Sequence, residues 1–79
     1  VSGGFRLDQA APSVRVRVLD VAGDQAIRRR LQAQGIRPGV SLGVVRATAG
    51  GGVIVAVGGA RVALGRAAVV SVTVGEPDE

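Results

Sequence analysis

From Val14 the chain alternates strictly, with Val14, Val16 and Val18 apolar and Arg15 and Arg17 charged between them. Alternation with a period of two marks a half-buried strand, valines toward a core and arginines toward water. It predicts a first strand over Val14 to Val21. The period then changes. In Gln25-Ala26-Ile27-Arg28-Arg29-Arg30-Leu31-Gln32-Ala33-Gln34, Ile27 and Leu31 stand four apart and share one helical face. That face has to rest on the sheet. Asp24 precedes the segment as an N-cap, its carboxylate placed to accept from a first-turn amide. Gly35 suits the left-handed position past the helix end, Ile36 supplies the apolar contact of such a cap, and Pro38 blocks continuation.

Strands and turn signals alternate through the rest of the chain. Val40 to Ala47 reads as a strand with Leu42 and Val44 on one face, and Thr48 to Gly52 as a glycine-rich turn. Val53 to Val57 and Ala60 to Leu64 flank Gly58-Gly59, a two-residue hairpin signal. Gly65 to Ala68 reads as a tight corner and Val69 to Val74 as the closing strand. Upstream, Val1 to Gln9 is expected to be a loose arm that Phe5 and Leu7 dock onto the core, followed by a turn at Ala10-Ala11-Pro12. The polar tail Gly75 to Glu79 is expected to fray. The expected organisation is therefore an arm over residues 1–13, a folded unit over 14–74 and a tail over 75–79.

The fold class that follows is mostly β. Five short strands and one short helix describe a small, partly open barrel, since closure limits exposed strand edges. An OB-like barrel usually carries its helix after the third strand. Here the helix falls between the first two, which favours an SH3-like barrel.

Size and composition narrow the rest. A chain of 79 residues is one domain, burying only about 60% of its unfolded surface. It has no cysteine and no histidine, so disulfides and the usual zinc ligands are absent and packing alone must hold it. The 47% of hydrophobic residues, mostly Val, Ala, Ile and Leu, supply that packing. All ten basic residues are arginine, and with six acidic residues the net charge is +4. The arginines are dispersed, so charge alone points weakly to nucleic acid or acidic surfaces. The apolar region Val53 to Val74 is interrupted by Gly58, Gly59, Arg61, Gly65 and Arg66, short of the ~20 apolar residues of a membrane span. No secretory signal pattern is visible, and the cytoplasm is the expected compartment.

Candidate chemistry is sparse. Ser2, Ser13, Ser41 and Ser71 have no histidine to activate them. Asp8, Asp20 and Asp24 lack the spacing of an oxygen-ligand metal site, and Asp24 is needed as a cap. No enzyme activity, cofactor or metal is expected. Gly50 to Gly52 and Gly58-Gly59 match neither phosphate-loop spacing and precede no helix, so they read as turns. Single-strand binding and proline-rich peptide recognition both use aromatic platforms, and Phe5 is the only aromatic residue. Arg28, Arg29 and Arg30 cannot share one face, being about 100° apart on a helix. The ordinary reading is a solvated helix face, and the functional one a docking surface for an acidic partner or for phosphates.

The block Ala26-Ile27-Arg28-Arg29-Arg30-Leu31-Gln32-Ala33-Gln34-Gly35-Ile36-Arg37-Pro38-Gly39-Val40 resembles the signature of the FeoA family, a short arginine-bearing helix running into a glycine turn and a strand. The resemblance extends over roughly Leu7 to Val74. Many members carry Leu or Met at the position of Gln34, and proline in the turn that reads Thr48-Ala49-Gly50-Gly51-Gly52 here. The resemblance implies an SH3-like accessory protein of bacterial ferrous iron uptake. Its implied partner is the membrane transporter FeoB, whose cytosolic part includes a GTP-binding domain. It also implies action by protein contact. For that contact the residues offer the helix and the turn Ile36 to Val40, an apolar ridge edged by arginines, with Arg28, Arg29, Gly35, Ile36, Arg37 and Gly39 as the candidate partner-binding residues. The same fold serves as the C-terminal domain of metal-dependent transcriptional repressors, which is the alternative reading. The reading frame upstream of Val1 separates the two.

Overall fold

The computed structural model describes residues 4–76. Its strands are where alternation places them, with two departures in phase. In β2 (Arg15–Val21), Val16 and Val18 are buried, Arg15 is exposed and Arg17 half-buried. Continued alternation would then turn Asp20 into the core. The register slips instead, from Val18 opposite Val74 to Asp20 opposite Thr73, leaving Leu19 as the extra residue of a β-bulge. Asp20 stays exposed, and Val21 takes the inward phase opposite Val72. The bulge thus spares an unpaired carboxylate from burial, which would cost several kcal/mol. Leu19 remains 42% exposed.

The helix α1 (Gln25–Ala33) follows, and then β3 (Ser41–Ala47), β4 (Val53–Val57) and β5 (Ala60–Leu64) form a meander. Leu42 and Val44 face the core as expected, and a second register shift lies between Val44 and Arg46. The Thr48 to Gly52 turn contains a helical turn at Ala49–Gly51, closed by Thr48 N–H donating to the Gly52 carbonyl at 2.8 Å. Gly58-Gly59 makes the expected hairpin, with Val57 opposite Ala60.

Two expectations are corrected. The Gly65 to Ala68 corner and the start of the closing strand are replaced by a short helix α2 (Arg66–Val69), so β6 spans only Val72–Gly75. The valine-rich composition argued for strand, but the Gly65 and Arg66 carbonyls capture the Val69 and Val70 amides at 3.0 Å each. Val69 is buried by the helical turn while Val70 is exposed, the reverse of the strand phase set by Val72 and Val74. At the other end, the expected loose arm supplies a strand. Phe5–Arg6 forms β1 against β6, with Phe5 opposite Val74, and Leu7 is fully buried. The docking of Phe5 and Leu7 is as expected; the strand pairing is additional. Residues 1–3 and 77–79, including most of the expected frayed tail, lie outside the described residues.

All pairings are antiparallel, in the order β1-β6-β2-β3-β4-β5. The first half of β2 pairs with β3 and its second half with β6, so the six-stranded sheet curls about Arg17 without closing. The fold is SH3-like and mostly β. Its concave side holds an aliphatic core of Leu7, Val16, Val18, Leu31, Ile36, Leu42, Val44, Val53, Val55, Val57, Leu64, Val69, Val72 and Val74. Leu31 and Ile36 are the contribution of α1 and its exit. Among the described residues, no helix is long and apolar enough to cross a membrane.

Candidate functional site

The helix is fastened at both ends by groups visible in its sequence. The Ile27 amide donates to Asp24 Oδ1 at 2.9 Å, and the Arg28 amide to the Asp24 carbonyl at 3.0 Å. This cap satisfies first-turn donors that would otherwise be left over. At the exit, Gly35 N–H donates to the Gln32 carbonyl (3.0 Å) and Ile36 N–H to the Leu31 carbonyl (2.9 Å). These two bonds are the Schellman pattern, with Gly35 at φ 86° in the left-handed position. Leu31 and Ile36 flank that closure and both enter the core, 0% and 1% exposed.

Turning the chain there delivers Arg37-Pro38-Gly39-Val40 onto the sheet. Val40 N–H donates to the Arg37 carbonyl at 3.2 Å, and Gly39 has φ 95°, the pattern of a type II turn with proline and glycine at its centre. The turn is pinned from below. Gly39 N–H donates to the Val18 carbonyl and Val18 N–H to the Val40 carbonyl, each at 2.8 Å.

Three elements therefore meet at one place: the end of β2, one side of α1 and the turn after it. They enclose an open groove of about 230 Å³ lined by Val21, Arg28, Gln32, Ile36, Arg37 and Pro38. Ile36 is its buried floor, while half-buried Val21 and exposed Pro38 add apolar walls. Arg28 and Gln32, four apart on the helix, and Arg37 on the turn supply the polar rim, and no acidic residue lines it. Of the acids near it in sequence, Asp20 adjoins Val21 and is exposed, and Asp24 caps α1; neither is in the lining. An ion pair lies elsewhere, between Arg6 and Asp8 at 3.3 Å.

Of the six residues singled out in the sequence, the structure brings Arg28, Ile36 and Arg37 together. Gly35 and Gly39 lie outside the lining and shape the backbone that carries it. Arg29 is exposed on α1 away from the groove, as is Arg30. Pro38 and Gln32 lie in the turn and the helix that the sequence offers for the contact but are not named there, and Val21 is missed altogether. Gln32 could have been found from its four-residue spacing to Arg28. Val21 could not, because it enters the groove only through the bulge at Leu19.

The arrangement can seat an apolar group between two cations; it holds no nucleophile with a base. Among the described residues, no three His, Cys, Asp or Glu side chains stand close enough together to hold a metal ion.

Comparison with known proteins agrees with the fold. No curated protein matches the chain. Among solved structures, the crystal structure of an iron uptake regulatory protein (FeoA) is 28% identical and covers 91% of this chain and 96% of its own, with a TM-score of 0.82. The solution structure of FeoA from Chlorobium tepidum is 29% identical, covering 95% and 74%, with a TM-score of 0.83. A manganese-dependent transcriptional repressor shares the fold at 22% identity and a TM-score of 0.89, over 98% of this chain but only 44% of the repressor. A family model, the FeoA domain, matches residues 5–75. With nearly its whole length matched, the chain belongs to the FeoA domain family.

Proposed function

We propose that this protein is a non-enzymatic accessory component of ferrous iron uptake. It docks by protein contact on the cytosolic part of a FeoB-type transporter, in the cytoplasm or at the inner face of the membrane. The observation that carries the reading is the groove at the exit of α1, where Arg28 and Arg37 edge an apolar floor within a FeoA domain. Arginine beside apolar surface is a common composition for protein interfaces. Gly35, Ile36 and Gly39 serve the site by fixing its backbone and floor, and Arg29 adds positive charge on the adjoining helix face.

Calorimetric titration into the purified cytosolic GTP-binding region of the FeoB from the same organism tests this, with and without nucleotide. The reading predicts saturable binding that survives moderate salt. Absence of heat at concentrations in the hundreds of micromolar, a range that detects even weak complexes, would contradict it.

A second reading is the C-terminal domain of a metal-dependent transcriptional repressor. It is favoured by the repressor likeness, which matches this chain to less than half of a longer protein. Upstream coding sequence for a winged helix with metal ligands would decide for it.

A further inference from the structure

We propose that the groove at the exit of α1 takes an acidic peptide segment of the protein partner. One aliphatic side chain sits between Val21 and Pro38, above the buried Ile36, and carboxylates on either side meet Arg28 and Arg37. This rests on the docking reading above and names the chemistry of what docks.

Four features of the groove select this occupant. At about 230 Å³ it is smaller than the ~300–1,000 Å³ of a site enclosing a small molecule, so it fits side chains of a longer ligand. Its floor and walls are apolar while its rim is doubly cationic, so the ligand must present an apolar group flanked by negative charge. No residue of the lining neutralises that charge, and neither Arg28 nor Arg37 has an ion pair or hydrogen bond from its side chain among the described residues. The Gln32 amide, with a donor and an acceptor on the same rim, suits a peptide backbone.

The groove is also preorganised. The Schellman closure, the type II turn and its two bonds to Val18 fix the backbone of the walls before any ligand arrives, so the ordering left for binding is that of the exposed Arg28, Gln32 and Arg37 side chains. Nucleic acid is disfavoured, because a base needs an aromatic partner and Phe5 is not part of the lining.

The test is a chemical-shift titration of the isotope-labelled chain with two capped peptides of about nine residues. One places leucine among Glu and Asp, and the other places it among Lys. The acidic peptide is expected to shift the amides of Val21, Arg28, Gln32, Ile36 and Arg37 saturably. The response should weaken with salt as the Debye length falls below about 8 Å. R28E/R37E should lower the affinity about tenfold or more while keeping a dispersed, folded spectrum, and R28K/R37K should retain part of it. No shifts at about 1 mM peptide, or an equal response to the Lys peptide, would overturn the proposal. So would inorganic phosphate or a thymidine oligonucleotide giving the same footprint at lower concentration. The FeoB region tests the two readings apart. Wild-type affinity of R28E/R37E for it would remove the groove and leave the transporter as partner. A chain that binds the acidic peptide but not the transporter would do the reverse.

Discussion

Gly35 sits at φ 86° with open space where a Cβ would stand, so an alanine there meets no atom and is penalised only by its backbone. A left-handed conformation costs an L-residue ~1–2 kcal/mol. Gly35→Ala should therefore destabilise the fold by about that amount, which in a domain this small lowers Tm by roughly 4–8 °C per kcal/mol. Thermal unfolding followed by circular dichroism measures it, and an unchanged Tm would mean that the Schellman closure is not what turns the chain toward Pro38. At this scale the sequence was highly legible. Asp24, Gly35, Ile36 and the Gly58-Gly59 pair do what their side chains, or lack of them, require, because capping and tight turns depend on a few neighbouring residues. Arg28, Arg29 and Arg30 were legible as a cluster but not as individuals. Their separation into one groove residue and two on the solvated side depends on where β2 and the turn lie.

The elements were legible where period and burial agree, and illegible where a register change intervenes. Leu19 is the clearest case. Val18-Leu19-Asp20-Val21 reads as the continuation of an alternating strand, yet only the pairing with β6 shows that one residue is skipped. Deleting Leu19 would leave Val18, Asp20 and Val21 in regular alternation opposite Val74, Thr73 and Val72, with Asp20 still outward and Val21 still in the groove. The bulge is needed only because Leu19 is present, since without the slip Asp20 would face the core at several kcal/mol against a total stability of order 5–15 kcal/mol. The deletion variant is therefore expected to unfold cooperatively in urea with a midpoint near wild type, and loss of cooperative unfolding would show that the bulge does more than preserve the phase. The α2 segment failed for a different reason. Its valines favour strand, but Arg66 to Val69 lies at a corner where a helical turn satisfies the backbone and still buries Val69. β1 was missed because two residues carry no period at all, although the docking role of Phe5 and Leu7 was visible.

For the molecule as a whole, the buried core cluster is aliphatic, and Arg28 and Arg37 lie exposed outside it, so the packing of the core does not depend on those two arginines. That separation would let a partner engage Arg28 and Arg37 without disturbing the core. Exposed ion pairs contribute only ~0.2–1 kcal/mol each, so the groove must combine both arginines with its apolar floor to hold a ligand. The sheet also leaves an alternative contact. β5 (Ala60–Leu64) pairs with β4 alone and ends the described strand order, offering an edge to which an extended segment could add. The FeoA block was readable in the sequence from Ala26 to Val40, and it contains five of the six groove residues. The choice between helix exit and sheet edge was not, because it rests on the assembled surface.

That choice is the central claim, and mapping the bound surface tests it most directly. Amide shifts of the labelled chain would be followed as the cytosolic region of the proposed partner, a FeoB from the same organism, is added. We predict that the largest perturbations fall on Val21, Arg28, Gln32, Ile36 and Arg37, with β5 unaffected. Perturbations centred on Ala60 to Leu64, with the helix exit silent, would contradict the account.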